Sequence, residues 1–161
     1  MHLTFYIKVC FLLILFITLN SITPALAENK QIDKKAEYIF KFAQYVRWPS
    51  NIKTLTFCVE GHSTLAKQLA KRIKGKKILG RQLMFKIGQP ASCNILFINQ
   101  PTVKIKKYQL TISDAQKCSA KGAIFSFFLE KNKVRFTYSR IAAKKTQLII
   151  AGRLLKLAKS C

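Results

Sequence analysis

The chain has 161 residues, half of them hydrophobic, with 29 Lys plus Arg against 6 Asp plus Glu and a net charge of +23. That length carries one core of ordinary size. Six acids and two histidines leave most acid–base and paired-carboxylate catalysis without parts. The positive field attracts anionic partners.

The N-terminus reads as a secretory signal peptide over residues 1–27. Lys8 is followed by a nearly unbroken apolar run from Val9 to Leu19, and Ala25 and Ala27 stand in A-x-A spacing before Glu28. The run is short for a membrane span, which needs about 20 apolar residues. Cleavage after Ala27 takes 27 of the 161 residues, leaves 134 (28–161), and lowers the charge from +23 to +22 with the loss of Lys8. The expected product is one exported, soluble domain. Nucleic acid is a poor partner for such a protein, and anionic envelope polymers or lipid are better ones.

Ile32, Ala36, Ile39, Ala43 and Val46 recur at steps of four and three, which predicts an amphipathic helix stopped by Pro49. Trp48 beside that proline closes a core edge or faces a partner. In "LTFCV" (55–59) Leu55, Phe57 and Val59 alternate with Thr56 and Cys58, the period of a strand. Gly61 makes a turn, Ser63 is the expected helix cap, and Leu65, Leu69 and Ile73 share the inner face of a helix over 63–73. This strand–turn–helix lacks the second glycine and the lysine of a phosphate loop and the three glycines of a dinucleotide turn. "RQLMFKIG" (81–88) alternates as a strand. "CNILFI" (93–98) is continuously apolar, as in strands covered on both faces. "YQLTIS" (108–113) is a further strand ending at Asp114, and a loop or short helix follows around Cys118. Residues 123–139 read as a hairpin joined at "KNK", and "RIAAKK" as a helical turn. Residues 147–160 read as a short strand or extended piece and then a C-terminal helix. Alternating helices and short apolar strands predict an α/β fold: a largely parallel sheet flanked by helices, with a late antiparallel hairpin.

Few residues could carry chemistry. His62 beside Ser63 has no indicated third member of a triad, and Asp114 after its strand reads first as a turn or cap. The expectation is no catalytic residue, no metal and no cofactor. Cys58, Cys93, Cys118 and Cys161 remain after cleavage. An even number in an oxidising compartment favours disulfides, and spacing does not choose among the three pairings.

Several segments together resemble one family. "YIFKFAQYVRWP" contains the pattern F-x-x-Y-V-x-W-P of the YfiR-like periplasmic proteins, and "FCVEG", "CNILFI", "LTISD", a "GAIF…VRF" hairpin and "LLKLA" follow in the family's order. The likeness covers about residues 36 to 158. It implies a compact periplasmic α/β domain, often dimeric and without catalytic activity. It also implies a repressor that binds the periplasmic sensor region of a membrane-bound diguanylate cyclase, keeps cyclic-di-GMP low and restrains biofilm formation. It implies a disulfide between Cys58 and Cys93. Cys118 stands near the family's second pair, whose other member would fall close to Ser126, so Cys161 is left as its partner. The family's partner-binding surface falls on Phe125, Thr137 and Ala143. Here the chain departs: the family usually has an acid at Thr137 and N-L-D where Ser139, Arg140 and Ile141 stand. Two acids are lost and a cation gained, which points to a more acidic partner or a changed role.

Overall fold

A computed structural model describes residues 23–88, 93–99, 104, 106–114 and 122–159. Cys118, Cys161 and the loop or short helix expected after Asp114 lie outside the described residues. Residues 32–161 form one compact unit. The described part of residues 1–31 is the opening of helix α1 (Thr23–Gln44), exposed over residues 25–30.

The fold is mixed α/β, as the alternating pattern predicts. After α1 come β1 (Val46–Arg47), β2 (Thr54–Glu60), α2 (Ser63–Ile73), β3 (Lys77–Ile78), β4 (Arg81–Ile87) and β5 (Ile95–Ile98). Then follow β6 (Leu110–Asp114), β7 (Phe125–Glu130), β8 (Lys133–Tyr138), α3 (Arg140–Thr146), β9 (Ile149–Ile150) and α4 (Gly152–Leu155). Seven strands make one sheet in the order β3-β4-β2-β5-β6-β7-β8. The pairs from β4 through β7 are parallel, and β3–β4 and β7–β8 are antiparallel. β1 and β9 pair antiparallel as a separate small sheet.

The alternation of β2, β5, β6 and β7 divides the sheet into two unlike faces. Leu55, Phe57, Val59, Ile95, Phe97, Leu110, Ile112, Phe125 and Phe127 join the main core with the inner faces of α1 and α2. From α1 this core takes Ile32, Ala36, Ile39, Phe42 and Ala43. From α2 it takes Leu65, Ala66, Leu69 and Ile73. The other face carries smaller groups: Cys58, Leu96 and Ile98 in a second apolar cluster, with Thr111, Ser113, Ser126 and Thr137 buried beside it. On the first face Phe42 stacks on Phe125 (ring centroids 4.2 Å) and meets Phe136 edge-on (4.8 Å). On the exposed side of α1, Glu37 sits between Lys34 and Lys41 at i+3 and i+4 spacing. The hydrogen bonds from Lys41 and Lys34 hold its carboxyl well down, at about 2 against the usual 4.5.

Three local expectations need correction. Val46 does not extend the helix: α1 ends at Gln44, and Val46 pairs with Ile150 in the small sheet. The carbonyl of Tyr45 accepts from the Ala151 N–H, so the chain leaves the helix to meet its own C-terminal segment. Ser63 is not the cap of α2. His62 is, its Nδ1 accepting from the Leu65 N–H at 3.3 Å. The helix expected near the C-terminus is one turn, Gly152–Leu155, after which Lys159 bridges to Thr137.

The hairpin closes in two residues. Lys131 (φ 48°) and Asn132 (φ 60°) both have positive φ, and Glu130 faces Lys133. This is the requirement of a type I′ turn, which asparagine and glycine meet without strain and lysine meets poorly. The double substitution Lys131→Asn/Asn132→Gly is expected to raise stability by about 1 kcal/mol, read as an upward shift of the urea midpoint at unchanged m-value. Phe42→Ala is expected to cost about 3–5 kcal/mol by the same measurement, since it removes a ring that packs on four others.

Candidate functional site

Cys58 is the fifth residue of β2 and points to the small-residue face. Cys93 stands just before β5, the neighbouring parallel strand. The two are joined by a disulfide with their Cα atoms 5.9 Å apart and 35 residues between them in number, within the usual span of such bonds. Both half-cystines are buried and pack with Leu96, Ile98 and Ala123. The backbone around Cys93 is fastened from both sides. The Asn94 N–H donates to the Thr56 carbonyl (3.0 Å), and the Thr56 N–H donates to Asn94 Oδ1 (2.9 Å). Gln109 Nε2 donates to the Cys93 carbonyl (2.9 Å), and the Leu110 N–H donates to the Asn94 carbonyl (2.7 Å). One covalent bond and four hydrogen bonds thus tie β2, the start of β5 and the start of β6 together.

The other candidates separate. Asp114, at the C-terminal end of β6, takes Lys35 of α1 as a partner at 2.5 Å, and both side chains are largely shielded. It fixes the helix across the sheet end, which is a structural use of that carboxylate. His62 caps α2 and meets the Phe97 ring edge-on, with Ser63 exposed beside it. Trp48 faces inward: it is buried and its Nε1 donates to the Ala43 carbonyl at 2.8 Å. Arg81 pins the same segment by donating to the carbonyls of Ile52, Trp48 and Pro49. Nothing in the sequence signalled the Arg81 clamp, because its acceptors are backbone carbonyls some thirty residues earlier.

The three positions carried over as partner-binding lie beneath the surface. Phe125 is 0 % exposed and Thr137 and Ala143 are 4 % exposed each. Phe125 is part of the aromatic core, Thr137 pairs with Ser126 on the other face, and Ala143 is the inner side of α3. On the same elements the side chains that reach solvent include Leu129 (50 % exposed) and Ile141 (72 %), with Arg140, Lys144 and Lys145 around α3. α3 itself is set by Ser139, whose Oγ accepts from the Ala142 N–H at 3.2 Å.

A mostly parallel sheet covered by α1 and α2, locked by a buried disulfide and presenting a hairpin and a short capped helix at one edge, defines a small α/β domain. The chain belongs to the YfiR/HmsC-like family, whose model matches residues 33–159. At the level of the family this supports a periplasmic regulator of diguanylate cyclases, a regulatory and not a catalytic role. No curated protein matches the chain. Among the described residues no helix is long and apolar enough to cross a membrane, and no three metal-ligating side chains cluster.

The disulfide is expected to stabilise the domain by about 3–4 kcal/mol, from a loop of this length in the chain-entropy picture. Cys58→Ser/Cys93→Ser should lower the melting temperature by about 10 °C. Because both sulfurs are buried, a mild thiol reductant should leave the folded protein's melting temperature unchanged over minutes and reach the bond only when the chain opens around it.

Proposed function

We propose that this chain is a periplasmic repressor that binds the periplasmic sensor region of an inner-membrane diguanylate cyclase and lowers cyclic-di-GMP output. The observation that carries this reading is the family match across residues 33–159, nearly the whole of the expected mature domain. Residues 1–27 act as the signal peptide and 28–161 as the single functional domain, working by binding and without a cofactor. Partner contact is made by the hairpin and α3. There Phe125, Thr137 and Ala143 shape the backbone from below, while Leu129, Arg140 and Ile141 meet the partner. An exposed apolar side chain beside a cation suits a partner surface with an apolar spot ringed by acids. Cys118 and Cys161, if joined, would form the second bond that the family pattern leaves to them.

The test is capture from solubilised membranes with the full-length protein as bait. The cyclase is expected in the eluate, and deletion of the regulator is expected to raise cyclic-di-GMP only while the cyclase gene is intact. Ile141→Asp should weaken capture about tenfold or more without changing the melting temperature. Absence of any cyclase from the eluate, or an unchanged cyclic-di-GMP level in the deletion strain, overturns the reading.

The charge supports a second reading, an envelope-binding protein held on peptidoglycan or anionic lipid by its 29 basic side chains. It requires co-sedimentation with purified envelope that is lost as salt rises.

A further inference from the structure

β4 is an edge strand for most of its length. β3 covers only Arg81 and Gln82, through the pairs Ile78↔Arg81 and Lys77↔Gln82. Among the described residues nothing pairs with the outer edge of β4 from Leu83 to Ile87. The Gln82 N–H donates inward to the Lys53 carbonyl at 3.2 Å. Strand alternation therefore turns the backbone groups of Leu83, Phe85 and Ile87 outward. Such a row of open donors and acceptors is a template for another strand.

The same three residues wall a groove. Their side chains share the face of Leu55, Phe57 and Val59, with which they are in register, and look toward α2. Two adjoining cavities of ≈ 550 and ≈ 680 Å³ run between α2 and β4 and share Ala70 and Phe85. On the helix side the wall is Ala66, Ala70 and Ile73, whose short alanines leave the groove its width. Ile87 at its end is 72 % exposed. Lys67, Lys71 and Lys74 stand along the rim at helical spacing, all exposed. Among the described residues none of them has a carboxylate partner; the one basic residue of that turn that does, Arg72, is spent on Asp33.

We propose that this edge is a second docking site, which takes an extended segment of another protein whose apolar and acidic side chains share one face, added as a strand along Leu83–Ile87. The added strand lies in line with β3. Its backbone completes the open edge, and every second side chain faces α2: of these, the apolar ones fill the groove between β4 and α2 and the acidic ones meet the lysine rim. Charge chooses this occupant over a second copy of the chain. Two copies joined edge to edge would bring two lysine-rimmed helices together with a net charge of +23 on each. The site lies at the opposite edge of the seven-stranded sheet from the hairpin, so it stands apart from the cyclase-binding reading.

The probe is a fluorescent seven-residue peptide with valine, glutamate, valine and glutamate at its odd positions, which share one strand face, and serine at its even positions, titrated into the intact protein and followed by anisotropy. Binding is expected at low salt, at least about tenfold tighter than for the same peptide with lysine in place of the acids. N-methylation of alternate peptide nitrogens, which keeps every side chain but removes the strand-pairing donors, is expected to abolish it. Lys67→Glu/Lys71→Glu/Lys74→Glu should weaken binding about tenfold, and Ile87→Lys several-fold, with unchanged circular dichroism. No binding of the acidic peptide, equal binding of its N-methylated form, or equal binding by the charge-reversed protein overturns the proposal. So does a sedimentation experiment in which the wild-type protein is a dimer that Ile87→Lys dissociates, since a second copy would then own the edge.

Discussion

Phe42 lies at the point where the helix, the middle of the sheet and the hairpin meet. Its ring stacks on Phe125 and packs on Phe127 and Phe136, and Phe127 in turn reaches Phe97 on β5. The parallel strands from β2 to β7 are buried on both faces, so the sheet needs a cover on the aromatic side. α1 supplies it with a stripe that begins at Ile32 and ends at Ala43. The other fastenings follow from where that contact sets the helix. Lys35 comes over the end of β6 and finds Asp114, Trp48 turns under the helix end onto the Ala43 carbonyl, and Tyr45 is delivered to the C-terminal segment. An ion pair as shielded as Lys35–Asp114 holds position more than it adds stability, because taking both charges from water offsets much of their attraction.

The opposite face obeys a different constraint. Its buried side chains are short: cysteine, serine and threonine with Leu96 and Ile98. Short side chains bring little apolar area, roughly 25 cal/mol for each Å² removed from water. Covalent closure between Cys58 and Cys93 and hydroxyl bonding compensate for that shortfall. Thr111 illustrates the second device, its Oγ1 donating to the Gly122 carbonyl at 3.0 Å. It also accepts from the Ile124 N–H at 3.2 Å, so one side chain fixes the entry to β7. The hairpin whose edge the proposed function uses is thus held in place from both faces, by Phe125 and Phe127 on one and by the pairing of Ser126 with Ser113 and Thr137 on the other.

Local periodicity made most of this legible. Leu55, Phe57 and Val59 alternate, Leu65, Leu69 and Ile73 step helically, and residues 95–98 are apolar throughout, so β2, α2 and β5 could be read directly. β1 and β3 could not, because two residues carry no period, and the β1–β9 pairing joins segments about a hundred residues apart, even though β9 lies where a short strand or extended piece could be read. Val46 continues the helical spacing of α1 and is nevertheless in a strand, since nothing within the repeat announces that Tyr45 will bond to Ala151. The cap of α2 was misread because hydroxyls outrank imidazole as caps in general, whereas here the turn at Gly61 delivers His62 to that position. At the candidate site the disulfide followed from family likeness and not from spacing. The burial of Phe125, Thr137 and Ala143 was hidden for the same reason: matching positions to a family says which residues correspond, and not which way they face.

Burial also constrains how a redox signal could reach this domain. A thiolate must approach one sulfur along the bond axis, and access governs the rate. Cys58 lies inside a strand paired on both sides, with Lys86 and with Leu96, so its exposure requires the sheet itself to open. Cys93 stands ahead of β5 and outside the strand ladder, its segment fastened by the hydrogen bonds of Asn94, Gln109 and Leu110, which makes its departure from β2 the smaller of the two openings. That opening would release the register between Thr56 and Asn94 while leaving β2 paired with β4 and the aromatic core closed. Reduction through local opening would therefore loosen the junction of β2, β5 and β6 before it touched Phe42. Rearrangement would begin on the small-residue face, the face that carries Ser126 and Thr137 of the hairpin.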